Sequence, residues 1–259
     1  MTREELWAAA RRQSAIDLGC EPEDFLRAEN VIVASRADPR ARKYLKLPFA
    51  CQLVTYGGNV VASCAPELRE TVANYLASCG EPYYAFETPR LLALDELLRP
   101  QGVRVCFQAE YFLPEPEALP ELPCPYPLRV LTPPEFAGLY TPEWRNALCR
   151  ERAALDVLAV GAYDGERLVG LAGCSADCED MWQIGVDVLP AFRRQGIAPA
   201  LTARLTREIL ARGKVPFYCA AWSNIKSVRN ALRCGYRPAW VELTARDAAY
   251  TETLARGEE

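Results

Sequence analysis

The chain has 259 residues, of which 50% are apolar and 25% charged, with a net charge of -4 and no histidine. That length buries a full core as one large or two small domains, and without a basic excess no nucleic-acid partner is expected. The lack of histidine excludes a Ser-His-Asp triad, a Cys-His pair, an HExxH zinc site and an imidazole base, leaving carboxylates, tyrosines, thiols, backbone amides or water.

The opening MTREELWAAARRQ places Thr2 three residues before Glu5, a capping-box pattern ahead of Leu6, Ala9, Ala10 and Ile16. A helix is predicted there, and its charge is unlike a signal peptide. No run approaches the roughly 20 apolar residues of a membrane span, so no membrane partner and a cytoplasmic location are expected. The 11 cysteines are odd in number and lack a paired CxxC framework, which predicts free, mostly packed thiols. Cys174 and Cys178 have no second pair to complete four ligands, and no metal is expected.

Strands are predicted over Asn30 to Ser35, Phe49 to Tyr56 and Val60 to Cys64, the last two forming a hairpin across Gly57-Gly58-Asn59. Pro66 opens a helix to about Ser78, a second helix runs from Pro89 to Leu98, and Val103 to Phe112 reads as a strand. Residues 1–113 are thus expected to form a smaller N-terminal α/β domain. Pro114, Pro116, Pro120, Pro123, Pro125 and Pro127 then remove so many backbone donors that 114–127 reads as an extended linker. The aromatic pairs Tyr83-Tyr84 and Tyr111-Phe112 are expected at core and edge positions.

The second domain, 128–259, starts with a strand at Leu128 to Leu131 and helical segments at Pro134 to Tyr140 and Glu143 to Ala154. Strands Val157 to Tyr163 and Arg167 to Cys174 flank Asp164-Gly165, a dipeptide that tolerates the positive φ of a type I′ hairpin turn. Met181 to Val188 is a further strand. A helix follows with Ala198, Leu201, Leu205 and Ile209 on one stripe, ended by Gly213. Then come a strand at Pro216 to Ala221, a helix at Ile225 to Arg233 capped by Gly235, and a last strand at Trp240 to Thr244. The fold class is α/β (α+β), with a mixed sheet flanked by helices.

The sharpest chemical signal lies where the strand ending Val186-Asp187-Val188 runs through Leu189-Pro190-Ala191-Phe192 into Arg193-Arg194-Gln195-Gly196-Ile197-Ala198. A glycine lets the backbone approach a phosphate, the free amides of a first helical turn point at it, and arginines add charge-assisted bonds. This run resembles the (Gln/Arg)-x-x-Gly-x-(Gly/Ala) signature of the GNAT superfamily of acetyltransferases, and the order of elements over about the last half of the chain is similar to that family's core. The whole chain resembles two-domain bacterial members whose acceptors are unassigned, the N-terminal domain loosely echoing a half without the phosphate loop.

The resemblance implies acetyl-CoA as donor, with the amides of Arg194, Gln195, Gly196, Ile197 and Ala198 around its pyrophosphate and Arg193 as a further cofactor-binding residue. It further implies that the backbone of Val186 and Val188 pairs with the pantetheine arm and that Asn224 contacts it. Pro199, which lacks an amide hydrogen, removes one family phosphate donor. The family base lies on the strand of Val188; counting back by twos gives Ile184, Trp182 and Asp180. Trp182 occupies the usual glutamate position, so Asp180 becomes the first candidate base, with Glu179 and Asp177 as neighbours acting through water. The family's acid tyrosine falls on Ala231; Tyr236, Tyr218, Ser223 or water are substitutes, and Cys219 and Cys234 read as packed thiols. Trp144 lies in the region that covers the acceptor, though its type also suits a core.

The function so implied is direct transfer of an acetyl group to a primary amine of a small molecule. Its alternative, prompted by Ala231 and Trp182, is a non-catalytic acyl-CoA-binding module. A homodimer is left open.

Overall fold

The computed structural model describes residues 1–257. In chain order, the first elements are helix α1 (Arg3–Leu18), strands β1 (Val31–Ala34), β2 (Cys51–Thr55) and β3 (Val61–Cys64), helices α2 (Arg69–Cys79) and α3 (Thr88–Leu98), and strand β4 (Val103–Pro114). They are followed by β5 (Leu128–Leu131), α4 (Pro133–Phe136), β6 (Asp156–Asp164), β7 (Arg167–Ser175) and β8 (Met181–Val188). The last are α5 (Ile197–Ala211), β9 (Val215–Ala220), α6 (Ile225–Arg233), β10 (Tyr236–Asp247) and α7 (Ala248–Arg256).

These elements form two compact units that exchange their ends. The N-terminal unit combines 10–110 with the segment from Ala239 onward, and the C-terminal unit combines 1–9 with 111–238. The partition therefore differs from one drawn at the proline-rich segment. At the end of the chain the reason is strand pairing: β10 pairs antiparallel with β2, Leu243 opposite Leu53. At the start, Arg3 reaches Glu115 at 3.6 Å.

In the N-terminal unit, β2 and β3 make the expected hairpin, with Val54 opposite Val61, and β1 lies parallel to β3. Leu53, Val72, Leu76, Leu94, Leu98 and Leu243 meet in its core. Tyr83 and Tyr84 are exposed, their rings tilted against each other with centroids 4.3 Å apart, which corrects their placement at core and edge positions; Tyr111 and Phe112 are buried. Beneath the sheet, Arg42 is buried with Asp17 and Glu242, each at 2.5 Å.

The C-terminal unit carries strands in the order β9-β8-β7-β6-β5. The pairs β5 to β8 are antiparallel and β8/β9 is parallel, giving the expected mixed sheet. Helix α5 packs Ile197, Leu201, Leu205 and Ile209 against Val160, Ala172 and Ile184. Its close seat is set by Gly170, where a Cβ would lie 2.8 Å from Ile197 Cγ2.

The segment 114–127 is extended as expected but docked on this unit. Glu115 N donates to Gly235 O at 2.9 Å, Arg207 Nη2 donates to Pro120 O at 2.6 Å, and Leu122, Cys124 and Tyr126 pack on the core. Two further expectations are corrected. Glu143 to Ala154 is not one helix but tight turns at Pro142–Trp144 and Arg150–Leu155, because the Asn146 and Ala147 amides are drawn to the Asp187 carboxylate. The last strand is longer than Trp240 to Thr244, and α7 follows it with Asp247 accepting the Tyr250 amide as its N-cap.

Candidate functional site

Strands β8 and β9 pair only over Met181 to Gln183 against Val215 to Phe217, and then part. Leu189 N donates to Val169 O at 3.0 Å, and Gly170 lies opposite Val188. In an antiparallel ladder this makes Ile184, Val186 and Val188 the residues whose N–H and C=O point away from β7, into the opening wedge. This stretch of the β8 edge has no strand beside it. One of its groups is engaged within the protein: Val188 O accepts Arg193 Nε at 3.0 Å.

At the wide end of the wedge stands the loop before α5. Gly196 caps the helix in the left-handed region, with φ of +82°, and Arg194 shares that region with φ of +65°. A non-glycine residue there costs on the order of 1 kcal/mol and clusters at ligand-binding loops. A cleft of about 840 Å³ follows the wedge, lined among others by Val186, Val188, Arg194, Tyr218, Asn224 and Lys226. A smaller hollow of about 190 Å³ beside it is lined by Gly196, Ile197, Ala198 and Arg233. Arg193 and Arg194 line both, so with Lys226 and Arg233 this end is cationic and suited to phosphates.

Each expected residue has a definite place. Val186, Val188, Arg193, Arg194, Ala198 and Asn224 line the cleft, Gly196 and Ile197 the hollow. Gln195 turns outward, accepting from the Tyr126 hydroxyl at 3.3 Å. Asn224 Oδ1 accepts Ser227 N at 3.3 Å as the N-cap of α6. Asp180 and Glu179 stand at the paired end of β8 and β9: Asp180 O accepts Val215 N, and its carboxylate is 3.8 Å from Lys214 Nζ. The Glu179 carbonyl takes a bond from the same lysine. An eight-residue strand of roughly 26 Å separates them from the phosphate loop.

Among the substitute acids, Tyr236 is fully buried on Thr206 at 2.7 Å, and Cys234 is buried too. Tyr218 lines the cleft with its hydroxyl 3.0 Å from Ser227 Oγ, and burial pushes that phenol above its ordinary range. Trp144 belongs to the core with Leu131 and Phe136. Lys226, Arg233 and Asn146 were missed by sequence reasoning. The first was findable, since it lies in the first turn of the helix that Asn224 caps; Asn146 was not, because it depends on the crossing described next.

On the sheet face away from α5, residues Asn146 and Ala147 cross β7 and β8. Cβ atoms at Gly173 and Gly185 would lie 2.1 Å and 1.7 Å from their carbonyl oxygens. Asp187 clamps the crossing by accepting Asn146 N at 2.8 Å and Ala147 N at 3.0 Å.

In this α/β fold a parallel strand pair thus splays over a cationic loop at a helix N-terminus, a geometry that suits an anion. Residues 121–236 match the acetyltransferase (GNAT) family. No curated protein matches the chain in sequence. Among solved structures, the chain is similar to a GNAT-family protein from Novosphingobium aromaticivorans at 21% identity and TM-score 0.40, over 56% of this chain and 66% of that one, just under two thirds of its length. A GCN5-related N-acetyltransferase-like protein from Streptococcus suis shares 20% identity over 61% and 69% of the two chains, with TM-score 0.44. A GCN5-related N-acetyltransferase from Sphaerobacter thermophilus shares 14% identity over 93% and 92%, with TM-score 0.45. Among the described residues, no helix is long and apolar enough to cross a membrane, and no cluster of three metal-ligating side chains occurs.

Proposed function

We propose that the chain transfers an acetyl group from acetyl-CoA to the primary amine of a small molecule. The observation that carries this reading is the wedge between β8 and β9, with its free strand edge ending at the Arg193 to Ala198 loop. In this reading the loop amides and Arg193, Arg194, Lys226 and Arg233 hold the pyrophosphate, while the backbone of Val186 and Val188 pairs with the pantetheine amides. Arg193 must release Val188 O for that pairing to form. Asn224 contacts the arm through its amide nitrogen, since its oxygen caps α6.

The reaction joins two bound reactants, and much of its acceleration comes from aligning them. Tyr218 is the donor for the leaving thiolate, because it is the phenol that lines the cleft. The test is thiol release from acetyl-CoA over a panel of primary amines. Amine-dependent release that Tyr218→Phe slows about tenfold without weakening acetyl-CoA binding supports the reading.

A second reading, a module that binds acyl-CoA without turnover, is favoured by Ala231, a buried methyl at the family's tyrosine position. It requires a stoichiometric acetyl-CoA complex that releases no thiol with any amine.

A further inference from the structure

Behind the apex of the wedge lies a second, smaller cavity. The register sets Asp156 beside Ser175 and Ser175 beside Gln183, so three polar side chains from β6, β7 and β8 stand in one row on the face away from α5. With Asn146, Cys149 and Arg152 they line a space of about 70 Å³. Gln183 is the last β8 residue paired to β9, which places this space at the point where the strands part. Five residue steps, or about 16 Å of strand, separate it from Val188, about the reach of an extended pantetheine arm.

Its lining points to a ligand. Ser175 is only 8% exposed, and its Oγ has no hydrogen-bond partner among the described residues. Such a group costs about 1–3 kcal/mol unless something satisfies it. Asp156 is 4% exposed and accepts Cys149 N at 2.9 Å. Arg152 is ion-paired with Asp177, so Asp156 and Asp177 set against Arg152 leave an excess of negative charge. The volume equals that of about two waters, which suits an ammonium and its first methylene.

We infer that this cavity receives the primary ammonium of the acceptor, with Asp156 taking its proton and Ser175 and Gln183 positioning it. The inference rests on the acyltransferase reading above. One ammonium proton passes to the Asp156 carboxylate. The freed nitrogen pair forms the C–N bond to the thioester carbon, and collapse of the adduct breaks the C–S bond. Tyr218 gives its proton to the thiolate and regains one from the nitrogen, so the products are the N-acyl amide, the CoA thiol and protonated Asp156. Burial raises the Asp156 carboxyl, against the pull of the Cys149 amide, Tyr140 and Arg152 and with the push of Asp177. A raised carboxyl is the stronger proton acceptor.

The test uses the full chain as wild type, Asp156→Asn and Ser175→Val. It combines titration of 1,4-diaminobutane into the CoA complex with thiol release from acetyl-CoA across a series of primary alkylamines. The wild type should bind the diamine and release thiol at a rate that rises with pH above the ordinary carboxylate range. Asp156→Asn should keep acetyl-CoA affinity, lose at least 100-fold in kcat and lose that pH step. Ser175→Val, which keeps the bond from Cys149 N to Asp156 and removes the hydroxyl from the cavity, should raise the amine KM about tenfold and leave acetyl-CoA affinity unchanged. Wild-type kcat and KM in both variants would overturn the inference, and so would a wild type that binds acetyl-CoA but neither binds nor acetylates any of the amines. No acetyl-CoA binding by the wild type overturns the underlying reading, and this inference with it.

Discussion

Single side chains carry much of the chain's sensitivity to conditions. Glu110 is pushed up to about 7 by burial, and its Oε2 has no hydrogen-bond partner among the described residues. A carboxyl whose folded pKa exceeds its unfolded value holds more protons in the folded state, so stability falls as pH rises from about 4.5 to about 7. Glu110→Gln should flatten that fall and raise stability above pH 7 by ~1 kcal/mol, after discounting for partial exposure. Urea titrations at pH 5 and pH 8 check it. Arg42 is the opposite case, buried and already paired with Asp17 and Glu242. Its replacement by Ala strands two carboxylates and should cost about 3–5 kcal/mol by the same measurement.

At the scale of elements, what could be read from the sequence was local. The Thr2 and Glu5 box is present, Thr2 N donating to Glu5 Oε2 at 2.8 Å and Glu5 N to Thr2 Oγ1 at 3.2 Å. The Asp164-Gly165 hairpin and the strand-loop-helix at Val188 to Ala198 also stand as read, because each is specified within a few residues. The 143–154 turns, the Asn146 crossing and the Asp156, Ser175 and Gln183 row depend on partners 7 to 41 residues away, and no periodicity reports those. Alternation along β8 likewise gives the face of Asp180 but not where the neighbouring strand departs. Gly185→Ala tests the crossing, since its Cβ would meet Asn146 O at 1.7 Å. The substitution should lower Tm by several degrees and weaken amine-dependent turnover, read by thermal melting beside the thiol assay.

On the scale of the molecule, the sequence supports two α/β halves, but the exchange of chain ends between the two compact units was hidden in long-range strand pairing. All 11 cysteines are thiols; Cys51, Cys64, Cys79, Cys174, Cys178 and Cys234 are buried, and five are partly accessible. Native protein should therefore expose no more than five thiols to a colorimetric reagent, and unfolded protein 11. The account as a whole depends on the loop that ends the wedge. Calorimetric titration of acetyl-CoA into the wild type and into Gly196→Glu tests it most directly, because Gly196 needs its positive φ and a carboxylate there would repel the phosphates. One molecule bound per chain at micromolar affinity, weakened at least 100-fold by the substitution, is the expected result. Equal binding by both proteins, or none by the wild type, would contradict the assignment of this loop and of the acyltransferase function built on it.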